Sequence, residues 1–511
     1  MIIGPYLPNA GDRPSPKSST VCGALWAIYY LIGLYNETYW KKRGIKFHLK
    51  NKVFGPMGEF VTSKRSLFEI FNEIYKMYPN EPAVGVGSFL TPALYVKDPL
   101  NVQHVLNIDF NAFNHRGFEM NEDDKLSDNV LFMNGNRWKI MRQNMTPLFT
   151  ATKVKSMYYK LDRSAVDFVD YLNKRPELLK KDTLHTLTTF CNAAIGAAVF
   201  GIGNESIFDS PFLAMAIESM KMNTIRNIQF AIGSLNIRLF KLLGIKVFKK
   251  HEEFFISAIK QVIRKREAEN VKKHDFADLC VGLINKGTLK DRDTGLEIEP
   301  TDEILAAQAF FFFLAGSEPS ASAMFFTLVE LGMNPEPLKR VHEEIDSSFE
   351  KYNNTMTYDT IHEMEYLDMV YNEALRMYPP IGFLTRQCVK DTVLPTGNIR
   401  ISKGTKIFTP IFEVHHDPNF FSDPEVFNPD RFSPKNRHKL PNNMYMPFGE
   451  GKRLCIGVRY ATLQVKAGLV HLLRHFTVKT HIGVEGIKYG KQSMQVRPTN
   501  VDIELIPRNL K

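Results

Sequence analysis

The chain has 511 residues, of which 44% are hydrophobic and 23% are charged, a balance typical of a globular protein with a sizeable core. Its 65 lysines and arginines exceed its 55 acids, and the net charge of +10 favours an acidic partner or a membrane surface. It has neither a basic stripe with interleaved aromatic residues nor zinc-finger spacing, which excludes nucleic acid as the expected partner.

The first predicted element is an uncharged segment at residues 18–36, whose centre, VCGALWAIYYLIGLY, is strongly apolar. A helix of this length rises roughly 28 Å, about the thickness of a bilayer core. Many more basic residues follow it than precede it, so the positive-inside rule places the rest of the chain in the cytosol. We predict a leader (1–17), a membrane anchor helix (18–36), a basic hinge (37–60) and one large domain (61–511). The alternatives are a cleaved signal peptide and a helix lying in the membrane interface.

Beyond the anchor, the chain has mostly the pattern of helices. Pieces with strand character occur at residues 53–60, 83–96, 392–409 and 489–506. The expected fold class is therefore mainly α with small β-sheets at the edges. The odd number of cysteines, five in all, and the lack of a CxxC pair argue against a disulfide framework and favour a reducing compartment.

A long helix is predicted at residues 301–331, because acids occupy its first turn and its middle, AAQAFFFFLAG, is apolar on all sides. It should pass through the core. Pro319 lies in its interior, where proline loses a hydrogen bond and clashes with the carbonyl of Ala315, so we expect a kink or opening there. Glu318 is an acid in this apolar stretch, and is either tied to a base or part of a functional distortion.

Three shorter patterns are uninformative when each is taken alone. Glu373 and Arg376 share one face of a helix predicted at residues 360–378, which would ordinarily be a surface ion pair. The turn NPDRF contains Arg431, which could reach that pair. Trp138 and Arg142 lie one turn apart on a helix predicted at residues 136–144, as in a stacked surface pair.

The stretch PFGEGKRLCIG, residues 447–457, contains one cysteine among glycines, a phenylalanine and two bases. Because a nearby base lowers the pKa of a thiol, we expect Cys455 to be a thiolate held on a rigid loop. A buried structural cysteine is the alternative. The form F-x-x-G-x-R-x-C-x-G should arise by chance in such a chain with a probability of only ~10⁻⁴.

With E-x-x-R and N-P-D-R-F upstream of this stretch, the sequence resembles a cytochrome P450, a haem-thiolate monooxygenase, over nearly its whole length. The tracts YWKKRGI, DFNAFNHRG and LTRQCVKD are most similar to the microsomal, insect-type detoxification branch. The resemblance implies the cytochrome P450 fold, with a single haem-thiolate catalytic domain at residues 61–511. It also implies haem b, iron protoporphyrin IX, as the cofactor.

The resemblance further implies a role for each motif. Cys455 would be the metal ligand, with Phe448 packed on the ligand side of the haem and glycines 449, 451 and 457 letting the backbone pass close to it. Contacts to the haem propionates would come from four residues: Trp138, Arg142, Arg386 and Arg453. Glu373, Arg376 and Arg431 match a buried charge triad that serves the fold and haem incorporation.

One departure concerns the chemistry. The family usually has A-G-x-E/D-T-T/S in the long helix, whereas this chain has Ala-Gly-Ser-Glu-Pro-Ser at residues 315–320. Glu318 is kept, but Pro319 replaces the threonine whose hydroxyl helps to protonate bound dioxygen. Ser320, or Ser317, is expected to supply a hydroxyl instead. Glu318 and Ser320 are therefore the expected catalytic residues.

The resemblance also implies partners: electrons from NADPH through a flavoprotein reductase, with cytochrome b5 as a second donor, at the endoplasmic reticulum membrane. A basic docking face would include Lys139, Lys452, Arg459 and Lys466. Lipophilic substrates would meet an apolar lining, formed by Phe113, Phe311, Phe312, Ala315, Ile381, Phe383 and Leu384. Two alternatives stay open: a reductase-independent isomerase or lyase acting on hydroperoxides or oximes, suggested by Pro319, and a non-enzymatic haem or ligand-binding protein.

Overall fold

The computed structural model describes residues 16–121, 123–201, 208, 215, 218–219, 223–235, 237–269, 272–491 and 495–509. The expected leader, residues 1–17, lies almost wholly outside them. The α-helices are Pro16–Lys41, Pro56–Val61, Leu67–Met77, Pro99–Gln103, Gly135–Met145, Ala151–Asn173, Thr183–Ala198, Thr224–Leu235, Ile237–Leu242, Glu252–Glu269, Phe276–Lys286, Asp302–Met333, Pro335–Lys351, Tyr358–Glu363, Glu365–Met377, Phe412–His415 and Val458–His475. Short 3₁₀ or π turns lie at His104–Ile108, Lys125–Ser127, Thr146–Phe149, Pro176–Leu179, Lys249–His251, Pro429–Phe432, Arg437–Lys439 and Gly451–Arg453.

The sheets are small, as expected for a mainly α fold. The four-stranded sheet has the order Ala83–Val86, Ala93–Val96, Lys406–Pro410, Phe383–Gln387, and only its middle pair is parallel. The two-stranded sheets pair Phe476–Ile482 with Val501–Pro507, Leu289–Lys290 with Glu297–Ile298, and Thr392–Leu394 with Ile399–Ile401. The strand expected at residues 53–60 is wrong: Pro56 starts a helical turn there, with its fixed φ suited to a first helical position.

The long helix, Asp302–Met333, runs through the core as predicted. The Thr301 side chain caps it by accepting a hydrogen bond from the Ile304 N–H, and most of its side chains are buried. The helix is continuous through Pro319, so the expected opening is not a break in the backbone. In the described part of the chain, this is the one helix whose length and apolar composition would suffice to cross a membrane, yet 67% of its most apolar window is buried.

The N-terminal helix, Pro16–Lys41, covers the predicted anchor and exposes a run of apolar side chains that includes Leu25 and Trp26. Its last turns are held by the large domain. The Asn36 amide donates to the carbonyls of Lys52 at 3.0 Å and Phe89 at 2.9 Å, and Trp40 is 1% exposed. The end of the helix is thus packed on the domain that follows it.

The helix predicted at residues 360–378 is two helices, Tyr358–Glu363 and Glu365–Met377, so this prediction is wrong in its extent. Met364 interrupts the helix, because its ψ of 87° is not a helical value. The Glu344 carboxylate then accepts the N–H groups of Tyr366 and Leu367, both at 2.8 Å, and so caps the second helix from another element. A cap supplied from a distant residue leaves no local signal in the sequence.

Candidate functional site

The loop of residues 447–457, here called the Cys loop, is a tight turn held by its own backbone. The Cys455 N–H donates to the Phe448 carbonyl at 3.0 Å, and the Leu454 N–H donates to the Gly451 carbonyl at 2.9 Å. Gly451 has φ of 72°, and a Cβ there would lie 2.1 Å from the Leu106 carbonyl oxygen. Only glycine fits this close approach of two backbones, which anchors the loop next to residues 106–107.

Cys455 has an accessible side chain, although its neighbours Arg453 and Tyr460 are each 2% exposed. The surrounding protein nevertheless desolvates the sulfur and raises the pKa of the thiol, outweighing the lowering effects of the Gly457 N–H, Arg142 and Arg116. The expectation that nearby bases make it a thiolate is therefore wrong for the polypeptide alone. A coordinated metal ion would reverse this, because its charge deprotonates a ligating thiol.

Four arginines cluster beside the Cys loop: Arg116, Arg142, Arg386 and Arg453. Within the described residues, none of them forms an ion pair with a carboxylate. Burial, followed by mutual repulsion, lowers the pKa of Arg116 to about 10, of Arg386 to about 9 and of Arg453 to about 7. Such a concentration of buried positive charge is costly unless an anion neutralises it.

The protein holds these arginines mainly through backbone carbonyls. Arg453 donates to the carbonyls of Asn114 at 3.0 Å and Met133 at 3.1 Å, and its guanidinium lies 4.3 Å from the centre of the Trp138 ring. Trp138 thus orients Arg453 by cation–π stacking, rather than forming the stacked surface pair with Arg142 that was the alternative. Arg142 instead donates to the Leu454 carbonyl at 2.9 Å, on the Cys loop itself.

Two of the arginines leave a buried donor free. The Nε atoms of Arg116 and Arg386 are buried and have no hydrogen-bond partner among the described residues. A haem carries two carboxylates on one edge, so this charge and these free donors fit its propionates. Arg116 was missed by sequence reasoning, and its only signal was a base in the DFNAFNHRG tract.

Arg386→Leu should have opposite effects on the two forms of the protein. It should raise the free energy of unfolding of the haem-free protein, on the order of 1–3 kcal/mol, because one of several repelling buried charges is lost. It should also speed haem loss from the loaded protein. Chemical denaturation and haem transfer to apomyoglobin measure the two effects, with exposed Arg400→Leu as the control. A less stable haem-free Arg386→Leu protein would contradict the repulsion argument.

The predicted charge triad is assembled, and it is buried rather than a surface pair. Arg376 and Glu373 are both fully buried and form a two-pronged ion pair at 2.8 and 2.9 Å. Arg431 reaches the same carboxylate at 3.1 Å. The reading of Glu373–Arg376 as an ordinary exposed pair is therefore wrong.

His415 connects this triad to the residue before the Cys loop, which the sequence did not indicate. Its Nδ1 lies 3.0 Å from the Arg376 carbonyl, and its Nε2 accepts the Met446 N–H at 3.0 Å. Since a carbonyl only accepts, Nδ1 carries the proton and the ring is neutral. Burial lowers the pKa of His415 well below its ordinary value, which agrees with this neutral form.

Glu413, in the helical turn before His415, is buried, and neither carboxylate oxygen has a hydrogen-bond partner among the described residues. Burial raises its pKa to about 8. A raised carboxyl pKa means that the folded state binds the proton more tightly than the unfolded state does. The contribution of Glu413 to stability should therefore fall as pH rises from about 4.5 to about 8.

Glu413→Gln should remove this loss. It should be nearly neutral at pH 5 and stabilising, on the order of 1–3 kcal/mol, at pH 8. Urea unfolding at both pH values tests the expectation, with exposed Glu425→Gln as the control. Equal effects of Glu413→Gln at the two pH values would contradict it.

On the long helix, the hydroxyls of Ser317 and Ser320 differ in whether they have a hydrogen-bond partner. Ser317 Oγ donates to the Phe313 carbonyl at 2.8 Å, whereas Ser320 Oγ is buried and has no partner among the described residues. Glu318 forms an ion pair with Arg497 at 3.0 Å, and burial raises its pKa. Glu318 is therefore tied to a base, and Arg497 is a partner that sequence reasoning missed.

The predicted lining divides into two groups. Phe113, Phe312 and Phe383 are at most 6% exposed; Phe312 packs on Phe149, and Phe383 packs on Phe71. Ala315 is exposed although its helix is otherwise mostly buried, which suits a residue facing an interior cavity. The remaining members, Phe311, Ile381 and Leu384, are partly exposed or exposed.

The four bases proposed for reductase docking also divide. Lys452 and Arg459 are exposed. Lys139 is engaged by Asp291 at 2.8 Å and Asp293 at 2.5 Å. Lys466 is 6% exposed and pairs with Asp368 at 3.3 Å, so it is not a surface docking group and that expectation is wrong.

Together, a cysteine on a glycine-dependent loop and four arginines beside it that have no carboxylate partner among the described residues define a haem-thiolate protein. The sequence model of the family "Cytochrome P450" matches residues 48–504. Cytochrome P450 6k1 of Blattella germanica is 34% identical over 469 residues, 88% of each chain. Cytochrome P450 6B7 of Helicoverpa armigera is 30% identical over 94% of this chain and 95% of its own. Cytochrome P450 9e2 of Blattella germanica is 33% identical over 88% of this chain and 90% of its own.

The chain belongs to the cytochrome P450 family and is of the insect type. Its enzyme class is accordingly that of haem-dependent monooxygenases, and its mainly helical fold with small sheets is confirmed as that of the family.

Proposed function

We propose that this enzyme inserts one oxygen atom of O₂ into lipophilic substrates, with electrons from NADPH delivered by a flavoprotein reductase, at the endoplasmic reticulum membrane. The observation that carries the proposal is the group of four arginines beside Cys455, for which the described part of the chain offers no carboxylate partner. Such buried charge is tolerated when a bound cofactor supplies the neutralising anion.

Each site residue has a role in holding the cofactor. Cys455 would ligate the iron, and Phe448 would pack on that side of the ring. Arg116, Arg142, Arg386 and Arg453 would bind the propionates, with Trp138 supporting Arg453. A haem ligated by thiolate supplies the chemistry that favours O–O cleavage.

The protein's own contribution to proton handling rests on Ser320 and Glu318. Ser320 Oγ is buried and donates to none of the described residues, so it is the hydroxyl available to hold a water. Glu318 would support proton movement, because its side chain is 20% exposed and its carboxylate is held by Arg497 at 3.0 Å.

Membrane and partner assignments follow from surface chemistry. The apolar run exposed on the N-terminal helix suits contact with a bilayer, although in the described part of the chain only the long helix has the length and apolar composition to cross one, and residues 18–36 would anchor the domain on the cytosolic side. Exposed Lys452 and Arg459 suit an acidic reductase surface or that of cytochrome b5.

A second function, reductase-independent isomerisation or cleavage of hydroperoxides or oximes, is favoured by one observation, the proline at position 319. The test gives the purified protein lipophilic compounds with reductase and NADPH, and in parallel organic hydroperoxides without reductase. Oxygenated products that need NADPH support monooxygenation. Turnover of hydroperoxides alone would overturn it in favour of the second function.

Pro319→Thr should improve coupling, that is, yield more product and less peroxide per NADPH, by about 2- to 10-fold, because it adds a hydroxyl beside Ser320. Product, peroxide and NADPH are measured together. Pro319→Ala is the control, since it restores the backbone N–H without a hydroxyl. Equal coupling in the two variants would show that the hydroxyl is not the limiting group.

A further inference from the structure

A fully buried glutamine joins the helix after the Cys loop to the turn of the long helix that contains Pro319. Gln464 Nε2 donates to the Gly316 carbonyl at 2.9 Å, and the Tyr460 hydroxyl lies 2.5 Å from Gln464 Oε1. Gln464 is 0% exposed and Tyr460 is 2% exposed. Both lie on the helix Val458–His475, which begins directly after the Cys loop.

The amide has one orientation that satisfies all three groups. A carbonyl can only accept, so the Gln464 nitrogen must face Gly316, and its oxygen must accept the Tyr460 hydroxyl. The two side chains thus form a directed pair. A glutamate at position 464 would not serve in its ionised form, because it has no proton to donate.

The contact falls at the turn that proline weakens. In an α-helix the Ala315 carbonyl would accept the N–H of residue 319, which proline lacks, and the proline ring pushes that carbonyl away. Gly316 is the next residue, and its carbonyl accepts a hydrogen bond from Gln464, outside the helix. The backbone also has little room there, since a Cβ on Gly316 would lie 2.2 Å from Ile195 Cδ1.

We propose that Gln464, oriented by Tyr460, is a positioning residue that replaces the restraint lost at Pro319. It holds the turn of Gly316 to Ser320 at a set distance from the Cys loop. This explains how the helix stays continuous through an internal proline while Ala315 and Ser320 keep their places.

Hydrogen exchange of the haem-loaded full chain tests the restraint without reference to any catalysed reaction. In Gln464→Leu, amides of the segment 313–323 should exchange about 10-fold faster, as expected for the loss of one buried hydrogen bond. The matched control is Gln308→Leu, because Gln308 is as buried as Gln464, lies on the long helix itself about three turns before Pro319, and bonds Asp128 and Val130. Should Gln464→Leu fold poorly, Gln464→Glu tests the bond to Gly316 and Tyr460→Phe tests the bond that orients Gln464, each with a smaller change of shape.

A double-mutant cycle with Pro319→Ala decides whether the glutamine compensates for the proline. Alanine restores the missing N–H, so Gln464→Leu should accelerate exchange by less than about 3-fold in that background. Equal acceleration in both backgrounds, or equal effects of Gln464→Leu and Gln308→Leu, would overturn the proposal.

A second measurement, the yield of product per NADPH, rests on the proposed monooxygenase function and is made separately from hydrogen exchange. Gln464→Leu should increase peroxide release, and Gln308→Leu should not. If the wild-type protein does not turn over with NADPH and reductase, the proposed function fails, while the exchange result still decides the role of Gln464.

Discussion

Arg376→Met should lower the free energy of unfolding by about 3–5 kcal/mol, because it leaves the Glu373 carboxylate buried with half of its partners. Both residues are fully buried, and Glu373 also accepts the Asn428 N–H at 3.0 Å, so the carboxylate cannot move to water. Arg376 also donates to the His415 carbonyl at 2.8 Å, and its loss would release the segment that leads to the Cys loop.

The matched control is a surface pair of the same chemistry. Arg340 and Asp430 lie 3.4 Å apart with side chains 49% and 52% exposed. Arg340→Met should cost less than about 1 kcal/mol. Denaturant unfolding of both variants, with and without haem, makes the comparison. A cost for Arg376→Met near that of Arg340→Met would mean that the triad does not hold the fold.

Cys455→Ser should abolish the thiolate band of the reduced carbonyl complex and remove NADPH-dependent turnover. Cys455 is the cysteine that lies on the Cys loop with an accessible sulfur, and a serine hydroxyl does not ionise to replace the thiolate. Absorbance spectroscopy of the reduced protein under carbon monoxide measures it.

Cys388→Ser is a close control. The Cys388 sulfur is buried and bonds the Lys390 carbonyl at 2.9 Å, a contact that a serine hydroxyl can keep. Its band should be unchanged. A thiolate band that persists in Cys455→Ser and disappears in Cys388→Ser would reverse the ligand assignment.

Elements with a strong periodic or capping pattern could be predicted from the sequence. The long helix was expected at residues 301–331 and is Asp302–Met333, because an apolar run with acids at its start admits few other structures. The helix predicted at residues 360–378 is divided at Met364, because the cap comes from Glu344, on another helix. A local sequence pattern cannot indicate a capping residue that is distant in the chain.

The pKa values and charge partners of the site depended on tertiary structure more than the positions of the helices did. Adjacent bases suggested a lowered pKa for Cys455, but the surrounding protein raises it, because desolvation outweighs those charges. The contribution of Arg116 was likewise invisible, since one arginine in a loop is ordinary until three others are found beside it. Lys466 was expected on the surface, and the packing of its helix buries it.

The sequence by itself determined the family, the cysteine of the Cys loop and the three members of the charge triad, because each depends on residue types at set spacings along the chain. Only the tertiary structure decided which side chains share the site. His415, Arg497 and Gln464 join segments that are distant in the chain, and their partners lie 31, 179 and 148 positions away. Hydrogen bonds and burial at such separations follow from packing, which no local pattern of residues specifies.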